Sequence, residues 1–384
     1  MTGPADKVFT VDRNRLTLLT GGKERLETLI GLIDEARASL RLLYYLYAND
    51  ESGRTVRDAL ERALRRGVSV SLIVDGFGSS ASSEFFASIQ AEGADICRFQ
   101  PRLGRRYLLR NHQKLVLADE EVAIIGGFNI ENDYFDDDAG WRDLGLRISG
   151  PAAAQLTGYF DALKRWTHRD RARLRDLRRA LSHWSQTDGA GKASWLLGGP
   201  TRRLNPWARA LRKEITRATR LDMIAAYFAP TLRMMRTIEG VSRRGGAVRI
   251  VTAAKSDNNA TIAAARHTYR RLLERKVNIF EYQRTKLHTK LFVIDDVVHL
   301  GSANFDVRSL FLNLEIMLRI DDKAFADHMR AYVAQEIADS KEIRAAAHEK
   351  ASWLDRLRWS FAYWLVAVVD GKITRRLNFG VEKR

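Results

Sequence analysis

Residues 111–119 read NHQKLVLAD, and residues 287–295 read LHTKLFVID. Both follow the pattern H-x-K-x-x-x-x-D. It supplies His112, Lys114 and Asp119 in one copy, and His288, Lys290 and Asp295 in the other. The two histidines lie 176 residues apart. With eight histidines in the chain, chance would supply roughly 0.02 to 0.03 matches, so two copies mark a repeat. H-x-K in an extended chain puts His and Lys on one face, because strand side chains alternate. The apolar run behind each motif anchors that strand in a sheet. A single copy would read as an edge strand with polar residues toward water. Two copies with matching surroundings do not.

The surroundings match upstream. Residues 41–47 (RLLYYLY) are strand-like, residues 53–67 (GRTVRDALERALRRG) have helical spacing, and residues 68–75 (VSVSLIVD) form an apolar strand of buried type. The second half repeats this order in residues 221–228 (LDMIAAYF), 230–246 and 247–253 (AVRIVTA). Gly67 and Gly245 lie 178 residues apart. Alternating strands and helices predict an α/β fold with mixed sheets, built as two similar halves. The expected division is an N-terminal extension (1–20), a first half (21–168), a second half (204–340) and a basic amphipathic C-terminal segment (341–384). Residues 169–203, interrupted by Gly189, Gly191, Gly198, Gly199 and Pro200, read as a helix and linker.

The surroundings also match downstream. Residues 126–129 are GGFN and residues 301–304 are GSAN. Small residues such as Gly127 and Ser302 let backbone approach a ligand. The amides of Asn129 and Asn304 can donate to a phosphate oxygen. Each half then offers a carboxylate: Asp143 follows His112 by 31 residues, and Glu315 follows His288 by 27. A carboxylate on imidazole Nδ1 fixes the tautomer and leaves Nε2 for chemistry. With the halves face to face about a pseudo-twofold axis, one cleft holds two His, two Lys and two Asn. Such donors suit a phosphoryl group in its transition state. One neutral His attacks phosphorus, and the other protonates the leaving oxygen. The lysines already supply positive charge, so the reading calls for no metal and no cofactor. Tyr45 and Tyr227 end equivalent strands, where they could line the cleft or, the favoured role, pack in the core.

Composition narrows the classes. The 384 residues carry 64 Lys+Arg against 47 Asp+Glu, a formal charge of +17, and 45% are hydrophobic. That is enough apolar material for a sizeable core. The lone Cys97 excludes an internal disulfide and a thiolate metal cluster within one chain. The charge points to polyanionic partners, nucleic acid or an anionic membrane surface. No stretch reaches the roughly 20 apolar residues of a spanning helix, and the first residues do not read as a signal peptide.

On these motifs the chain resembles the phospholipase D superfamily, and more closely the bacterial cardiolipin synthases. The resemblance rests on His112, Lys114, Asp119, Gly126, Gly127 and Asn129, on His288, Lys290 and Asp295, and on the run GSANFDVRSLFLNLE from Gly301 to Glu315. It covers roughly residues 20–340. It implies a phosphatidyl-histidine intermediate, with His112 as nucleophile and His288 as acid/base, resolved by an alcohol such as the glycerol head of phosphatidylglycerol. Asp119 and Asp295 are expected to support structure. Many such synthases carry two spanning helices at the N-terminus; this chain resembles the shorter subclass without them. The expected place is the cytoplasmic face of a bacterial membrane, as a peripheral protein.

Residues 353–369 (WLDRLRWSFAYWLVAVV) place Trp353, Leu357, Phe361, Trp364, Leu365 and Val368 on one helical face, flanked by Arg356, Arg358, Lys372, Arg375 and Arg376. The pattern fits a helix lying in a bilayer interface and equally a helix packed on the protein. Basic runs at 102–110 and 169–179 suit anionic head groups or plain solvation. Hydrolysis of lipid or nucleic acid by the same residues is the rival activity. A non-catalytic lipid-binding protein is the rival class. The aromatic C-terminal segment favours lipid.

Overall fold

The protein is described from a computed structural model covering residues 8–100, 108–169, 172–186, 191–201, 203–349 and 351–369. Two eight-stranded mixed sheets carry the fold. In the first the order is Val8–Val11, Asn14–Leu19, Gly145–Ser149, Val122–Gly126, Leu115–Ala118, Ser39–Tyr44, Ser69–Asp75 and Asp95–Phe99. In the second it is Ala193–Gly198, Glu315–Asp321, Val297–Gly301, Lys290–Ile294, Arg220–Ala225, Ala247–Ala253, Asn278–Tyr282 and Ser340–Ile343. Seven consecutive strands correspond. The eighth is added at opposite edges, Val8–Val11 in one sheet and Ser340–Ile343 in the other.

Local chemistry repeats with the topology. Helix Glu51–Arg65 starts at Asp50, whose carboxylate accepts the Gly53 N–H. Helix Leu232–Arg243 starts at Thr231, whose hydroxyl accepts the Met234 N–H. Each cap satisfies an orphan donor of the first turn. Behind the helices come Gly67 and Gly245, both at φ +85°, the left-handed conformation that lets the chain turn back into the next strand.

The motif strands are buried on both faces, and their alternation sorts side chains between two cores. Leu115 and Leu117 join one cluster, whereas Val116 and Ala118 join another under the first-half helices. Leu291 and Val293 join that same first cluster, whereas Phe292 and Ile294 face the second-half helices. The shared cluster holds residues of both sheets together with helices Leu156–His168 and Lys323–Ala338. One continuous apolar core thus fixes the two halves against each other.

Three segments differ from the expectation. Residues 193–198, read as linker, form a strand paired antiparallel with Glu315–Asp321. The glycines around it broke the pattern, but Trp195, Leu196 and Leu197 are buried. The N-terminal extension supplies two strands of the first sheet, and Asn14–Leu19 is the counterpart of Ala193–Gly198. Ser340–Ile343, placed at the junction with the C-terminal segment, closes the second sheet. Among the described residues no helix is long and apolar enough to cross a membrane.

Candidate active site

Each H-x-K motif enters its sheet through an extended segment that first pairs with the other half. Asn111 bridges Leu314, and the His112 N–H donates to the Leu314 carbonyl at 3.0 Å. Lys286 and Leu287 pair in parallel with Trp141 and Arg142, and the His288 N–H donates to the Arg142 carbonyl at 2.8 Å. Each histidine is therefore stitched to the strand that carries the opposite half's carboxylate.

The side chains cross in the same way. His112 Nδ1 lies 3.1 Å from Glu315 Oε2, and His288 Nδ1 lies 2.7 Å from Asp143 Oδ2. The sequence counts each carboxylate from the histidine of its own half; the fold exchanges them. A carboxylate only accepts, so both imidazoles donate from Nδ1 and turn Nε2 toward the cleft. Glu315 is held by two hydroxyls, Ser302 Oγ at 2.6 Å and Ser309 Oγ at 2.7 Å. Asp143 takes the Leu144 N–H at 2.7 Å. It also sits where a Cβ on Gly127 would fall 2.5 Å from Oδ1. A glycine therefore accompanies the shorter acid, and a serine the longer one.

Both lysines are buried and donate to the backbone of their own motif. Lys114 Nζ reaches the His112 carbonyl at 2.7 Å, and Lys290 Nζ reaches that of His288. Burial pulls Lys114 down to about 7 and Lys290 to about 8. Burial also lowers both histidines, His288 to about 3 with help from Lys290. Asp143 moves the other way from most buried acids. Burial pushes it up, but Lys290 and His288 bring it below the ordinary carboxylate value. Each histidine feels the lysine of both halves, as one compact cluster requires.

Asn129 Oδ1 accepts the Leu46 N–H at 3.2 Å, which leaves its amide hydrogens to other partners. Asn304 is buried, and its Oδ1 has no protein partner. Asp119 and Asp295 lie at the far ends of the motif strands, five residues or about 16 Å of extended chain from the lysines. Asp119 accepts the N–H groups of Arg37, Ala38 and Ser39. Asp295 accepts those of Thr219 and Arg220. These two aspartates pin the start of the neighbouring strand and stand apart from the histidines.

The half-sites differ in their walls. Tyr134, Trp141 and Tyr227 surround His288 at ring distances of 5.1, 5.3 and 6.3 Å, and the Tyr134 hydroxyl lies 3.4 Å from Nε2. Among the described residues His112 has Tyr45 alone, at 5.1 Å. Its side chain is 12% exposed against 5% for His288. Tyr45 and Tyr227 are only partly buried and face the two histidines, so the cleft-lining role holds and the favoured core role is corrected. Tyr134 and Trp141 were not read as site residues, and Ser309 entered only within the run 301–315; their spacing from the histidines along the chain is irregular. Buried Arg25 was also missed. It donates to the Asp143 and Tyr134 carbonyls, both at 2.7 Å, and so ties the acid to the wall. A cavity of about 470 Å³ lined by Arg25, Arg142, Tyr332 and Glu336 meets Asp143 from behind and includes neither histidine.

A duplicated α/β scaffold with one His–Lys–Asn set per half, crossed at a central cleft, defines the phospholipase D-type class. The family profile described as "Cardiolipin synthase, PLD-like domain" matches residues 29–164 and again 211–337, and the chain belongs to that family. Curated relatives named cardiolipin synthase include those of Geobacillus kaustophilus (28% identical over 79% of this chain and 62% of that protein) and Clostridium perfringens (28% identical over 92% and 76%). The chain thus spans about 62% of the length of the Geobacillus relative. Among solved structures, phosphatidylserine synthase of Haemophilus influenzae superposes with a TM-score of 0.72 at 14% identity, covering 94% of this chain and 95% of that one. Polyphosphate kinase of Porphyromonas gingivalis gives 0.60 at 13%, covering 94% and 53%. At such identities these two likenesses speak for the fold alone.

Proposed function

We propose that this chain is a phosphatidyltransferase of the cardiolipin synthase type, working through a phosphohistidine. The observation that carries the reading is the crossed pair of imidazole–carboxylate contacts, which offers two oriented Nε2 atoms to one phosphodiester. Neutral His112 Nε2 attacks phosphorus and the P–O bond to the leaving alcohol breaks; His288, low in the free protein, takes up a proton as the anionic phosphodiester binds beside it and gives that proton to the departing alcohol. In the second step an acceptor hydroxyl gives its proton to His288 and forms the new P–O bond as the N–P bond breaks. Lys114, Lys290, Asn129 and Asn304 surround the phosphoryl oxygens as charge grows on them. An anionic phosphodiester entering beside lysines near 7 and 8 draws them to the charged form, so substrate binding assembles its own counter-charge.

The wider exposure of His112 favours it as the nucleophile, since the attacking atom must reach an incoming lipid phosphate. The names of the curated relatives and the +17 charge favour an anionic phospholipid such as phosphatidylglycerol as donor and acceptor. The test is a mixed-vesicle assay with phosphatidylglycerol. Cardiolipin plus glycerol is the expected outcome. Phosphatidic acid as the sole lipid product would replace transfer by hydrolysis, and absence of turnover with lipid binding intact would leave a binding protein.

A further inference from the structure

Nine large apolar side chains are exposed among the described residues, and all but Val8, on an edge strand, fall in two groups. Six belong to the C-terminal helix: Trp353, Leu354, Leu357, Phe361, Trp364 and Leu365. Two others, Phe77 and Leu232, sit just past the carboxyl ends of strands, where the site opens. Phe77 follows Asp75, whose carboxylate accepts the N–H of Asn111 beside His112. Leu232 follows the segment that begins with Tyr227, which faces His288. Isolated exposed leucines need no account, but six exposed apolar side chains within thirteen residues of one helical segment do.

The C-terminal helix Trp353–Tyr363 and the turn after it are already docked on the protein by the opposite face. Trp359, Ala362, Tyr363 and Ala367 are buried against the second half, chiefly on helix Asn259–Leu273. Tyr363 stacks on His267 at 4.6 Å and donates to the Pro230 carbonyl at 2.9 Å, two residues before Leu232. One face thus takes the packed role, and the opposite face is left exposed. Phe361 and Leu365 also wall a groove of about 520 Å³ whose other side includes Ala254, just past the carboxyl end of strand Ala247–Ala253. The outward stripe therefore reaches the carboxyl edge of the second sheet. Of the stripe read from sequence, the Val368 side chain and Lys372, Arg375 and Arg376 lie outside the described residues. So do residues 102–107, most of the first basic run.

We propose that Phe77, Leu232 and the outward face of the C-terminal helix form one docking surface for a bilayer containing anionic phospholipid, seated so that the cleft opens onto the head groups. The choice of lipid rests on the function proposed above; the surface itself does not. Two tryptophans near the ends of the stripe suit the head-group level, where an amphipathic ring is favoured. Exposed Arg233, Arg236, Arg356 and Arg358 interleave with the apolar residues. Such interleaving of aromatic and cationic side chains is complementary to an anionic bilayer interface.

The test uses the full chain carrying His112→Ala, so that turnover plays no part. Co-sedimentation is measured with phosphatidylcholine vesicles with and without phosphatidylglycerol. Tighter partition onto the anionic vesicles is expected. The added triple change Phe361→Ser, Trp364→Ser and Leu365→Ser should weaken it by at least about tenfold, and Phe77→Ser with Leu232→Ser by roughly three- to fivefold. All five side chains are exposed, so unchanged melting would show that folding is intact. Unchanged partition in the triple variant would overturn the proposal. So would equal binding to neutral vesicles. A wild-type dimer that the triple change splits, with vesicle binding retained, would assign the face to a second copy instead. Loss of vesicle binding in the variants, with no phosphatidylglycerol turnover by wild-type enzyme, would sustain the surface and remove the reaction.

Discussion

The two half-sites share a backbone and differ in dress. Around His112 the carboxylate is the longer Glu315, fixed by two serine hydroxyls, and one partly exposed tyrosine faces the ring. Around His288 the carboxylate is Asp143, packed on Gly127, and three aromatic rings close in. Duplication supplies two equivalent positions; the neighbours then give each imidazole its own setting. The open one suits attack on an incoming phosphate, and the walled one suits holding a proton away from bulk water.

The largest expected effect is at His112, the nucleophile of the proposed reaction. His112→Ala should lower transfer by at least about 10⁴-fold, as removing a covalent residue does elsewhere; residual activity within tenfold of wild type would break the distinction between the histidines. Next come the crossed acids. Glu315→Gln and Asp143→Asn should each cost about 10²- to 10⁴-fold in kcat, because an amide misorients the tautomer. Steady-state rates of both variants test this. A loss confined to one of them would mean that only one imidazole needs its partner.

A smaller effect falls on stability. The folded pKa of Lys114, about 7, lies below that of the unfolded chain, so between about pH 7 and 10 the unfolded state binds more protons and stability rises with pH. Lys114→Met should abolish activity yet stabilise the free protein by about 1–3 kcal/mol at pH 6, where the buried charge is present, with the gain shrinking toward pH 10. Denaturant melts across that range would show it; a gain independent of pH would contradict it. The smallest effect belongs to the wall. The Tyr134 hydroxyl faces the Nε2 of His288 and stabilises the neutral ring if it donates there. Tyr134→Phe should lower kcat by roughly threefold to tenfold and move the alkaline limb of the rate profile, set by His288 as proton donor, upward by under about one pH unit. A pH–rate profile of that variant sharpens the comparison between walled and open rings.

Much of this was legible in the sequence because it is carried by local spacing. The duplicated H-x-K, the small residues before Asn129 and Asn304, and the two acids each stand in a short run. The exchange of acids was not, because it is made by bridges such as Asn111 to Leu314, more than 200 residues apart. Tyr134 reaches His288 across 154 residues for the same reason. Strand Ala193–Gly198 was hidden by the glycines that bracket it; its place is decided by the register against Glu315–Asp321. Periodicity identified the two-faced C-terminal helix, whereas only packing on Asn259–Leu273 decides which face is covered.

The most direct measurement uses His288→Asn protein and a phosphodiester with a p-nitrophenol leaving group, which departs without needing a proton. A burst of about one equivalent of nitrophenolate followed by arrest is expected, with the phosphoryl adduct mapped to His112 by mass spectrometry of the quenched enzyme. An adduct on any other residue, or an undiminished burst once His112 is also replaced, would contradict a single cleft in which one half attacks and the other moves the proton.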